Sequence, residues 1–130
     1  MNWVVSVDGS VAPEELVRLY DSVGWHKHAA LDVATAVLAN SDVIVCARAG
    51  GELVGFGRAL TDRILYAGIY DMVVAPSFQR QGIGTAILKA LLGELRGVRK
   101  VCLSTTTGAE AFYLKHGFEP GQGYFHLYQW

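Results

Sequence analysis

At 130 residues and a formal net charge of −1, the chain has the length of one domain, spanning 1–130, with room for a sizeable core and none for a separate regulatory module. Apolar residues make up 52% and charged residues 18%, which excludes a disordered or nucleic-acid-coating chain, and no basic block offers a face to DNA or RNA. No basic leader precedes an apolar core and no apolar run reaches membrane-spanning length, so a cytoplasmic protein without a membrane partner is expected.

Residues 3–7 alternate weakly and predict an opening strand, ended by Asp8-Gly9-Ser10. Pro13-Glu14-Glu15 then supplies a first-turn proline and two early acids, and Leu16, Leu19, Tyr20 and Val23 share one helical face before Gly24. Residues 32–38 predict a second short helix with Val33, Val37 and Leu38 inward. Residues 43–47 and 53–60 flank Gly50-Gly51 and predict an antiparallel hairpin on a primed turn. Residues 65–74 follow as a largely buried strand, broken by Ala75-Pro76-Ser77-Phe78.

The next segment, Gln79-Arg80-Gln81-Gly82-Ile83-Gly84, sits where that strand turns into a long helix with Ile87, Leu88, Leu91, Leu92 and Leu95 on one stripe. The first amides of a helix have no intrahelical acceptor, and the aligned peptide dipoles leave partial positive charge there. Gly82 and Gly84 let a ligand oxygen approach the backbone, and Arg80 adds a full charge with a forked donor set. The junction therefore suits a diphosphate, although on the loop alone a tight helix entry reads the same way. It lacks the Gly-Lys-Ser/Thr ending of a P-loop and the third glycine of a dinucleotide fingerprint.

Residues 100–104 predict another buried strand, residues 109–116 a short helix ended at Gly117, and residues 118–119 and 124–128 the strands that close the sheet. Cys46 and Cys102 lie inside strand-like runs without a neighbouring His and read as small buried hydrophobes. His26, His28, His116 and His126 form no zinc-ligand spacing, and no metal is expected. The sum is a mixed α/β domain, parallel only around the crossover helix that starts at the glycine loop.

Val74-Ala75-Pro76 followed by Gln79-x-x-Gly82-x-Gly84 resembles the acetyl-CoA-binding signature of the GNAT (Gcn5-related N-acetyltransferase) superfamily. Ala109-x-x-Phe112-Tyr113-x-x-x-Gly117-Phe118 resembles its terminal helix and strand, and Leu19-Tyr20-Asp21-Ser22-Val23-Gly24-Trp25 looks like the first helix and acceptor-side loop of small bacterial members. The resemblance implies a central, mostly antiparallel sheet with helices on both faces and a splayed parallel strand pair. It also implies an acetyl-CoA-dependent N-acetyltransferase acting on a primary amine. In that frame Gln79, Arg80, Gln81, Gly82, Ile83, Gly84 and Thr85 cradle the pyrophosphate, Met72, Val73 and Val74 pair with the pantetheine arm, and Phe112 belongs to the cofactor side. Many members carry an asparagine seven residues before the tyrosine; this chain has Thr106, which can offer a hydroxyl instead.

The chemistry needs a neutral amine, a polarised carbonyl and a proton for the leaving sulfur. Tyr113, a phenol with an ordinary pKa of about 10, can protonate a thiolate whose thiol titrates at about 8.5, and the other reading is a core aromatic beside Phe112. The amide of Val73 or Val74 would polarise the carbonyl. Asp71 is the best-placed carboxylate for the base, with a structural role at a strand bulge or a water chain as the other readings, while His116 is expected to cap its helix end. Tyr20, Trp25, His26, His28, Tyr66, Tyr70 and Tyr124 could wall a pocket for a cationic small-molecule amine. A protein N-terminus or lysine is the second acceptor class, and a CoA-binding sensor without catalysis is a third reading. Homodimers are common in the superfamily, and the apolar ending from Phe125 to Trp130 reads either as an interface or as an edge packed on its own core.

Overall fold

The structure is a computed structural model that describes residues 2–104, 109–121 and 125–129. In chain order the elements are β1 (Val4–Val7), α1 (Pro13–Ser22), α2 (Leu31–Asn40), β2 (Val43–Ala49), β3 (Glu52–Thr61) and β4 (Tyr66–Val74). A single 3-10 turn (Pro76–Phe78) leads to α3 (Ile83–Glu94), β5 (Lys100–Leu103), α4 (Glu110–Lys115), β6 (Glu119–Pro120) and β7 (Phe125–Tyr128). Among the described residues the strands form one sheet in the order β1-β2-β3-β4-β5-β7-β6, antiparallel throughout except between β4 and β5. The expected mixed α/β sheet with one parallel pair is therefore observed.

Two buried clusters cover the two faces. Ile83, Ile87, Leu88, Leu91 and Leu95 of the α3 segment pack on Val45, Val54, Ala67, Ile69 and Val101, joined by Tyr113 and Phe118. Each such side chain taken out of water contributes about 1.5–3 kcal/mol, so this face is the larger source of stability. On the other face, Leu16, Leu19 and Tyr20 of α1 and Ala34 of α2 pack on Cys46, Leu53, Phe56 and Val73. Gly55 and Gly57 bring α3 close to the sheet, since a Cβ on either would stand 2.9 Å from Ile87.

Three details depart from the sequence expectation. In α2 the inward residue is Ala34, fully buried, while Val33 is 36% exposed, because Ala34, Val37 and Leu38 form the stripe that faces α1. Helix α3 starts at Ile83, inside the segment Gln79 to Gly84 read as the junction, because Gly82, at φ +91°, occupies the capping position. β7 lies inside the sheet between β5 and β6, so the C-terminal segment is not the edge; β6 and β1 are. Cys46 is buried and Cys102 half-buried, and both are free thiols.

Candidate functional site

The site begins with a defect in β4. Ala67 and Ile69 face α3, and strict alternation would send residue 71 the same way. Between the pairs Phe56↔Val73 and Arg58↔Tyr70, however, two residues of β4 oppose Gly57 alone, and Asp71 takes φ +57°. The bulge returns Met72 to the α3 face and puts Val73 on the α1 face. Asp71 thereby turns toward α1 and stands beside Tyr70 on one wall.

The second feature is the splay. β4 and β5 pair only over residues 66–69 of β4, so beyond Ile69 the edge of β4 has no β5 partner among the described residues. The opening holds a hollow of about 130 Å³ walled by Met72, Leu103, Ser104 and Tyr113. Ala75 donates its N–H to Val54 on β3, so by strand alternation Val74, and not Val73, turns its polar groups toward the opening. The carbonyl of Val74 accepts from Gln79 Nε2 at 3.0 Å, which ties the following loop back to the strand end.

That loop runs directly from the splayed edge. Arg80 (φ +64°) and Gly82 (φ +91°) are both in the left-handed region, a curl that turns successive amides to one side. Among the described residues no side chain caps α3, and Arg80 and Gln81 are exposed. Gly82 meets this geometry without the strain of about 1–2 kcal/mol that a side chain would add. A Cβ on Gly84 would lie 3.7 Å from the Phe112 ring, so α4 rests on the first turn of α3. His116 ends α4 as expected, and its ring also reaches Thr85, with Nε2 3.5 Å from Oγ1. Its pKa lies below the ordinary value through burial and then the charges of Lys115 and Lys89, which mark the surroundings of the loop as cationic.

Tyr113 is 8% exposed, packs edge-on against Phe112 and Phe118, and lines the hollow in the splay. Burial pushes its phenol above the ordinary range and keeps it protonated at neutral pH. Thr106 and Tyr124 lie outside the described residues.

A larger hollow of about 620 Å³ adjoins the first one and shares Trp25, Ile69, Asp71 and Ser104 with it. Trp25, His26, His28 and Tyr70 line it as the sequence suggested, with Lys27 on its rim. Tyr20 and Tyr66 do not. Tyr20 is fully buried beneath the wall, and Tyr66 lies 60% exposed at the far end of β4, where that strand still pairs with β5. Where the hollows meet, Asp71 Oδ2 accepts from Arg58 Nε at 2.8 Å and from Tyr20 Oη at 3.0 Å. His28 Nε2 stands 3.7 Å from Oδ1. Burial, then the Asp71 carboxylate, hold the Tyr20 phenol well above its ordinary pKa. Sequence reasoning missed Arg58 and the carboxylate's link to Tyr20 and His28. A lone cation inside the apolar run Val54-Gly55-Phe56-Gly57-Arg58-Ala59-Leu60 was the available signal. Among the described residues no group of three or more His, Cys, Asp or Glu could hold a metal, and no helix is long and apolar enough to cross a membrane.

Comparison with known proteins gives one consistent answer. The family described as Acetyltransferase (GNAT) domain matches residues 39–120. The uncharacterised N-acetyltransferase ycf52 of Pyropia yezoensis is 37% identical over 110 residues, covering 80% of this chain and 63% of the relative. Histone acetyltransferase TAP1 of Glycine max is 31% identical over 129 residues, covering 89% of this chain and 55% of the relative. The chain thus spans less than two thirds of the length of these relatives. Among solved structures, a GNAT family acetyltransferase from Streptococcus pneumoniae superposes with a TM-score of 0.78 at 34% identity, over 90% of this chain and 87% of that one.

Proposed function

The chain belongs to the GNAT acetyltransferase family, and on that premise we propose that it transfers an acetyl group from acetyl-CoA to the primary amine of a small molecule. The observation that carries this reading is one arrangement: the β4 edge, without a β5 partner beyond Ile69 among the described residues, runs into the left-handed glycine loop, and beside it two hollows, one lined by Tyr113, meet at Asp71. The residues present fit CoA. The start of α3, capped by no side chain among the described residues, with Arg80 and the charges of Lys89 and Lys115 nearby, suits a diphosphate, and the exposed Gly82 leaves its approach open. The main-chain N–H of Val74, turned toward the opening by strand alternation, suits the amide-bearing arm, while its carbonyl is held by Gln79.

Bound acetyl-CoA would supply an activated thioester. Tyr113, kept protonated by burial, gives its proton to the departing sulfur. A main-chain amide of the β4 edge, that of Val74 by strand alternation, donates to the acetyl carbonyl. Asp71 Oδ1, the oxygen not taken by Arg58 and Tyr20, orients the incoming ammonium. Trp25, Ile69 and Tyr70 wall the hollow beside it and favour a small acceptor with an apolar body.

The likeness to a histone acetyltransferase supports a second reading, a protein lysine as acceptor. Purified protein is incubated with acetyl-CoA and tyramine, spermidine or a lysine-bearing peptide, and release of CoA thiol is followed alongside calorimetric binding of acetyl-CoA. Faster release with tyramine supports the small-amine reading, and faster release with the peptide reverses it. Binding without release from any acceptor would leave a sensor domain and end the enzyme reading.

A further inference from the structure

We infer that His28 removes the proton from the acceptor amine, with Asp71 as its positioning partner; this rests on the acetyltransferase reading above. An alkyl ammonium has a pKa of about 10, so the amine must lose a proton before its nitrogen can attack. Among the described residues the titratable and charged groups around the acceptor hollow are His26, Lys27 and His28 on the loop after α1, Tyr70, whose phenol hydroxyl is no base for an ammonium, and Asp71 on β4, Arg58 behind it on β3, and Tyr20 beneath it on α1.

Most of these are unsuited to take that proton. Lys27 and Arg58 are cations. The Tyr20 phenol is buried and donates to Asp71. His26 is 74% exposed, with Nδ1 turned to Asp21 at 2.7 Å. Asp71 is only 11% exposed and holds Arg58 and Tyr20 on Oδ2, so a proton placed on it would disturb an ion pair.

His28 has the missing properties. Its Nε2 stands 3.7 Å from Asp71 Oδ1, too far for a direct hydrogen bond, yet a span over which both atoms can accept hydrogens from one nitrogen placed between them. The His28 main-chain N–H donates to Trp25 O at 3.0 Å, which fixes the residue in its turn, and the ring is flanked by those of Tyr20 and Trp25, 5.5 and 5.7 Å away. Its side chain is 49% exposed, so one end faces the hollow and the other reaches water. The ammonium gives one proton to Nε2, and the Asp71 carboxylate offsets the charge of the resulting imidazolium. The amine lone pair then forms the C–N bond as the C–S bond breaks. The sulfur takes the proton of Tyr113, which recovers one from the acylated nitrogen. His28 passes its proton to water, and that is the net proton released.

The test compares wild type, His28→Gln and His28→Ala, with acetyl-CoA and tyramine, spermidine or the lysine peptide as probes. In His28→Gln we expect kcat to fall about 100-fold, the acidic limb of the kcat/KM profile to vanish, and calorimetric acetyl-CoA affinity to stay within about twofold. Added imidazole should restore activity to His28→Ala. The proposal is overturned if His28→Gln keeps kcat within about threefold, keeps the acidic limb, or loses acetyl-CoA affinity in the same measure as rate. Wild type that turns over a probe while His28→Gln is unaffected removes only His28 from the mechanism. Wild type that binds acetyl-CoA but acylates no probe brings down the transferase reading, and this one with it.

Discussion

The two halves of the proposed site, for acetyl donor and for acceptor, are built in opposite ways. The donor half comes from a nearly unbroken stretch, the edge of β4 through the glycine loop into α3, with Phe112 and Tyr113 added from α4. The acceptor half gathers Tyr20 from α1, His28 from a loop, Arg58 from β3 and Asp71 from β4, so one carboxylate is held by a hydroxyl 51 positions away and a guanidinium 13 positions away. A contiguous site uses main-chain groups and local turn chemistry, whereas an assembled site depends on strand register and on a single bulge. The contrast predicts that substitutions around Asp71 leave acetyl-CoA affinity alone.

The largest effect belongs to Tyr113→Phe. Loss of the hydroxyl is expected to lower kcat by ~10²-fold to 10⁴-fold while calorimetric acetyl-CoA affinity stays unchanged, and wild-type turnover would take Tyr113 out of the chemistry. Next comes Gly82→Val. At φ +91° a branched side chain costs about 1–2 kcal/mol, so the loop should rearrange and acetyl-CoA affinity should fall about tenfold or more. Circular dichroism should show the fold intact, because Gly82 is exposed. An unchanged affinity would mean that these amides do not hold the diphosphate.

Arg58→Gln probes the other half. Without its cation, Asp71 should lose its fixed orientation, lowering kcat/KM for the amine about tenfold at constant acetyl-CoA affinity. Equal damage to both quantities would break the separation of the halves. The smallest effect is expected at Glu15, which pairs with Arg48 at 2.7 Å outside the proposed site. The Arg48 hydrogen bond, then that from the Ala12 amide, lowers the Glu15 pKa from 4.5 to about 2. A depressed carboxylate pKa gives stability that is present above 4.5 and lost as pH falls toward 2. Glu15→Gln should therefore cost about 1 kcal/mol at neutral pH in denaturant titration and flatten acid unfolding over that window, with both binding constants untouched. A shifted acetyl-CoA affinity in this variant would show that damage to the scaffold reaches the proposed site.

Sequence alone determined the order of the elements, the strand-loop-helix junction and the positions of Gly82 and Tyr113 within it. Those features follow from hydrophobic period, turn residues and helix-end chemistry, all of which act over a few neighbouring positions. It could not place Tyr20 and Tyr66, which looked alike as aromatics: one went under the hollow and the other to the far end of β4. Only the tertiary structure decided that Asp71 turns away from α3, because one extra residue opposite Gly57 reverses the side a strand residue faces, and that reversal exists only once β3 and β4 are paired. The meeting of His28, Arg58 and Tyr20 around that carboxylate is settled at the same moment, when sheet register and the packing of α1 bring distant positions side by side.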